Sequence, residues 1–112
     1  MKLAYIVAAA ALAACANVSQ VVSSKPIPVS ASDIDKIKAA ATRDFFDPDS
    51  ARFKDIIVAD VTLADGTKVR RFCGHVNGKN QFGGYVGYEF FGGEVQNGQY
   101  IAQDFMGPCE KF

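Results

Sequence analysis

The stretch FKDIIVADVTLADGTKVRRFCGHV, residues 53–76, decides the fold. Phe53, Ile57, Ala59, Val61 and Leu63 share one parity while Lys54, Asp60 and Thr62 occupy the other, which is the two-residue period of a half-buried strand. Ala64-Asp65-Gly66-Thr67 then interrupts the pattern, and Asp-Gly supplies the positive φ angles of a tight hairpin turn. Lys68 to about Val76 is the return strand.

Toward the C-terminus, Asn77-Gly78 repeats the turn chemistry and the chain as far as Gly83 reads as a loop. GYVGYEFF, residues 84–91, is expected as a third strand with Val86, Tyr88 and Phe90 on one face and Tyr85 and Phe91 on the other. After the turn Gln96-Asn97-Gly98 comes a short fourth strand around Tyr100 to Phe105. On the N-terminal side, DIDKIKAAATRDFF carries Ile34, Ile37, Ala41 and Phe45 at helical spacing. Ser32 is placed as its cap, Asp33 and Asp35 favour the positive end of the helix dipole, and Asp47-Pro48 should stop it. DPDSARF then reads as one short helical turn. The expected fold is α+β: one N-terminal helix packed on an antiparallel meander sheet of three to four strands.

The chain has 112 residues, 49% of them hydrophobic and 21% charged, with a net charge of zero. That is the composition of one ordinary folded domain. A balanced charge argues against nucleic acid as a partner, because neutralising phosphates needs a basic surface.

The first residues, MKLAYIVAAAALAAC, place Lys2 before an apolar run from Leu3 to Ala14. The run is shorter than the roughly 20 residues that span a bilayer and has the form of a secretory signal peptide. Leu12-Ala13-Ala14-Cys15 resembles the lipobox of bacterial lipoproteins. The resemblance implies that the peptide is cut before Cys15, that Cys15 is acylated, and that the membrane is reached through a lipid anchor. Ala16 stands where enterobacterial lipoproteins retained at the inner membrane carry Asp, so the implied location is the periplasmic face of the outer membrane. Removing Lys2 with the leader leaves eleven basic against twelve acidic residues, a net of −1. The expected organisation is a signal peptide at 1–14, a lipidated Cys15 with a flexible tether to residue 32, and the domain at 33–112. The tether, ANVSQVVSSKPIPVSAS from Ala16, has a root-mean-square reach of roughly 20 to 25 Å if flexible.

With Cys15 assigned to lipid by that resemblance, Cys73 and Cys109 remain. In an oxidising compartment they are expected as a disulfide, stabilising a small domain by about 3 to 4 kcal/mol in the chain-entropy model. A competing reading makes Cys73 and His75 a catalytic pair, since residues two apart on a strand share a face and an imidazole can activate a thiolate. A disulfide removes that chemistry, and no enzyme activity is expected. One histidine and two separated cysteines give no zinc-type spacing, and Gly83, Gly84 and Gly87 link strand to strand rather than strand to helix, so no metal or other cofactor is expected.

DPDSARFKD (47–55) with CGHVNGKNQFGGYVGYEFF (73–91) resembles a pattern of small uncharacterised proteins from proteobacteria and their phages, Asp-Pro-x-Ser-Ala-x-Phe and Cys-Gly-x-Val-Asn-x-Lys-Asn-x-Phe-Gly-Gly-Tyr. The resemblance carries no activity, but it draws attention to Pro48, Ser50, Phe53 and the loop. Asn77, Lys79, Asn80, Phe82 and Tyr85 are the expected partner-binding residues, polar groups interleaved with rings, directed at an envelope protein or cell-wall glycan. The alternative is an inhibitor of an envelope-directed hydrolase or phage component.

Overall fold

The computed structural model describes residues 20–103. It is an α+β fold in which one helix packs on a five-stranded antiparallel sheet. In chain order the elements are β1 (Val21–Ile27), α1 (Ala31–Ala41), a 3-10 turn (Pro48–Ser50), β2 (Arg52–Leu63), β3 (Lys68–Asn77), β4 (Glu89–Gln96) and β5 (Gln99–Ala102). The strands lie in the sheet in that same order, a simple meander.

The strand beyond expectation is β1, drawn from the segment read as a tether. It pairs with β2 from Val21↔Leu63 to Ile27↔Val58, with a register shift between Val21 and Ser23. Ser23, Ser24, Lys25 and Pro26 hide it from a pattern search because it is an edge strand, exposed along most of its length. Proline and lysine are tolerated there, where one row of backbone groups faces water, and they discourage pairing with another chain. Residues 21–27 are therefore part of the folded unit, and the estimated tether reach does not apply to them.

The helix begins two residues earlier than expected. Ser30 is the cap, its Oγ accepting from the Asp33 amide at 3.1 Å, and Ser32 lies in the first turn. It also ends early, at Ala41. Thr42 turns back on Lys38, donating from both its amide (3.2 Å) and its hydroxyl (2.8 Å) to the Lys38 carbonyl. The 3-10 turn at Pro48–Ser50 forms as expected from DPDS.

The sheet's strongest correction concerns parity within β2. Lys54 pairs with His75 but Ile57 pairs with Cys73, so β2 carries an extra residue opposite Gly74, a β-bulge with Asp55 at φ 58°. The single stripe expected from Phe53 to Leu63 is split by it. Phe53, Ile56 and Val58 join the core beneath α1, whereas Ile57, Ala59 and Val61 fall on the other face with Cys73. The third expected strand is displaced as well: β4 starts at Glu89, leaving residues 78–88 as a loop, and the fourth runs Gln99–Ala102. Tyr88 and Phe90 thus flank the strand's start rather than line its centre.

The core centres on Ile37, Val58, Phe72, Val76 and Phe91. Phe53 meets Phe91 edge-on at 6.0 Å, and Phe72 meets Tyr100 at 5.4 Å. Two glycines make room for the rings. Gly74 lies opposite Phe91 and Phe72 opposite Gly93 across the β3–β4 ladder, so each strand offers a ring to the bare backbone of the other. A Cβ on Gly74 would stand 2.7 Å from Phe91 Cζ, and one on Gly93 would overlap the Ile101 carbonyl of β5.

Gly74→Ala is expected to destabilise by about 1 to 3 kcal/mol, because Phe91 must leave its place, and Gly93→Ala by more, because its obstacle is backbone. Urea unfolding midpoints measure both. Equal, near-zero shifts would show that the rings do not depend on these gaps.

Candidate partner-binding site

The loop at residues 78–88 is built by asparagine side chains acting as backbone. Asn80 Oδ1 accepts from the amides of Phe82 (2.9 Å) and Gly84 (3.1 Å), while its own amide donates to the Gly84 carbonyl and its carbonyl accepts from Gly83. This closes a small hairpin whose sides meet at the Lys79↔Tyr85 bridge. Gly83 has φ 82°, a conformation a side chain would strain. Lower down, Asn77 Oδ1 accepts from the Gly87 amide at 2.9 Å, and Val86 donates to the Gly78 carbonyl. Asx side chains favour such local bonds, which let a long connection order itself without sheet partners.

Two further contacts fix the loop to the rest of the fold. The Tyr85 hydroxyl donates to the Ser50 carbonyl at 2.9 Å, and the Ser50 hydroxyl donates in turn to the Asp47 carbonyl. The Phe45 ring lies against Gly78, where a Cβ would meet it at 2.6 Å. The two sequence patterns, DPDSARF and CGHVNGKNQFGGY, therefore touch through Tyr85 and Ser50.

Of the five expected binding residues, Asn77 and Asn80 are spent on the loop's own frame. Tyr85 is half-buried, with Arg52 Cζ 4.0 Å and Lys79 Nζ 5.3 Å from its ring centre. Phe82 alone is fully presented, 85% exposed. Sequence reading missed Phe46 (74% exposed) and Val86 (60%), which share a cavity of about 200 Å³ with Phe45, Gly78 and Lys79. Adjacent Phe45 and Phe46 were the available signal: only one of two neighbouring rings can turn into the core. A larger cavity of about 270 Å³ beside the helix end is lined by the opposed charges of Arg43, Asp44 and Glu89 and offers no convergent chemistry.

The Cys73–His75 pair does share the sheet face away from the helix, and Asp55 Oδ2 comes to 3.7 Å from His75 Nδ1. Cys73, however, is completely buried and disulfide-bonded, so its sulfur is no thiolate nucleophile. Cys15 and Cys109 lie outside the described residues, as do the signal peptide and the C-terminal tail. Among the described residues no cluster of three or more His, Cys, Asp or Glu side chains could hold a metal, and no helix is long and apolar enough to cross a membrane.

Set against protein families, curated proteins and solved structures, the chain matches none of them.

Asn80→Ala removes the acceptor for two loop amides and is expected to cost about 1 to 2 kcal/mol, with faster hydrogen exchange at Phe82 and Gly84. Asn80→Asp keeps an acceptor oxygen and should cost less. Identical exchange in all three proteins would mean the side chain is not the frame.

Proposed function

We propose that this chain is a lipid-anchored envelope protein, acylated at Cys15 on the periplasmic face of the outer membrane, and that its domain is a non-enzymatic module that binds another envelope protein. The observation that carries the binding reading is the apolar end of the loop. Phe82 and Val86 stand in water on a frame of hydrogen bonds rather than collapsing onto the core, and Phe46 is exposed beside the cavity it shares with Val86. Exposed rings on a preorganised support lose little conformational entropy when a partner covers them, and aromatic anchors carry much of the free energy of protein interfaces. A protein fits better than a cell-wall glycan because the Tyr85 ring, the natural platform for a sugar, already carries Arg52.

The test is photo-crosslinking in cells, with a photoreactive residue in place of Phe82 and, as control, Lys68. A discrete adduct to one envelope protein at 82 only, lost on Phe46→Ser, is the expected result. No adduct, or the same adduct from 68, overturns this surface. Both Phe82→Ser and Phe46→Ser should leave stability within about 0.5 kcal/mol of the parent, since neither ring is in the core.

The anchor and the disulfide belong to the same proposal. In it Cys73, which is disulfide-bonded, has Cys109 as its partner, and Cys15 is left for lipid. Intact mass and peptide mapping of protein extracted from membranes should give a diacyl-modified Cys15, with further acylation at its amino group, and a Cys73–Cys109 bridge. An unprocessed N-terminus removes the anchor, and a free Cys109 removes the pairing.

A further inference from the structure

The sheet face turned away from α1 carries a row of cations at the loop end. Arg52 and Lys54 are two residues apart on β2, so they share this face at about 7 Å spacing, and Lys79 meets the same Tyr85 ring as Arg52. Lys54 Nζ lies 4.3 Å from the centre of the Tyr88 ring, which is itself 43% exposed. Among the described residues no carboxylate pairs with any of the three cations: Asp60 goes to Arg70, Glu94 to Arg71, Asp33 to Lys36, and Asp55 turns to His75. A chain of balanced charge has thus gathered three unpaired positive groups and two tyrosines into one strip.

We infer that this strip is a docking surface for a lipid bilayer bearing anionic headgroups. Arg52 and Lys54 are exposed and follow one another along β2, with Lys79 beside the Tyr85 ring, so the positive groups form a short row, which suits a layer of phosphates. The exposed Tyr88 ring with the Lys54 ammonium over it matches the boundary between water and hydrocarbon, where one end of the side chain is apolar and the other wet. The choice of lipid as the occupant rests on the anchored reading of Cys15, which places the domain beside such a surface. The strip itself does not need the acyl chain, so it is tested without one.

The mature chain, residues 15–112 carrying Cys15→Ser, is mixed with vesicles of phosphatidylcholine alone or of phosphatidylcholine with phosphatidylglycerol, and the bound fraction is measured by sedimentation. Phosphatidylglycerol should raise the affinity, and added salt should reverse the gain. Arg52→Gln and Lys54→Gln should each reduce that gain about fivefold, as for one cation near an anionic membrane, while Lys68→Gln leaves it unchanged. Thermal melts of each variant verify folding. The inference is overturned by equal binding to both vesicles, by a gain that survives the double substitution, or by displacement with inorganic phosphate at constant ionic strength, which would make the strip a small-anion site. Acylation of Cys15 is read separately from intact mass, so failure of the anchor and failure of the strip give different results.

Discussion

The reciprocal placement of rings over glycines in β3 and β4 governs the structure. Phe72 and Gly74 on one strand face Gly93 and Phe91 on the other, so Phe-x-Gly read along either strand meets its own reverse across the ladder. Both rings must lie on the α1 side to reach Ile37 and Val58, and both need the partner strand to lack a Cβ beneath them. A slip of one residue would turn the rings to the opposite face. Fixing this register fixes the ends of the connection between the strands, and with them the space in which residues 78–88 must fold.

Within that space the loop has few sheet bonds to use. Its amides are taken instead by Asn77 and Asn80, and Tyr85 moors it to the 3-10 turn before β2. The polar residues that looked most like a recognition set are mainly the scaffold. Around the scaffold stand exposed apolar groups, Phe82, Phe46 and Val86, and the cations Arg52 and Lys54 of β2, with Lys79 between the Tyr85 ring and the cavity beside Phe46.

Residues 53–76 announced the hairpin correctly because alternation and Asp-Gly are local signals, and the register of β2 with β3 follows from that turn. The helix was legible from its spacing, though its cap was misplaced because Ser30 and Ser32 both satisfy the same local rule. Two features were not legible. An edge strand such as β1 has no buried face to impose a period, and the bulge at Asp55 depends on a partner strand that a linear pattern does not contain. The candidate site residues divide in the same way. Asn77 and Asn80 stood out by composition, whereas the exposure of Phe46 was decided by Thr42 ending the helix early and sending Phe45, not its neighbour, to Gly78.

The edge position of β1 also determines how the fold bears mechanical load. Any pull exerted through the N-terminal segment enters at Gln20, whose carbonyl is bonded to the Ala64 amide beside the β2–β3 turn. Directed along the strand, that force is shared by the β1–β2 hydrogen bonds together, as in shear; directed across it, the force opens them one after another, as a zipper. The same domain is therefore stiff in one direction and yielding in the other. The first element to give is β1, whose largely exposed side chains leave the core nearly intact when it peels away.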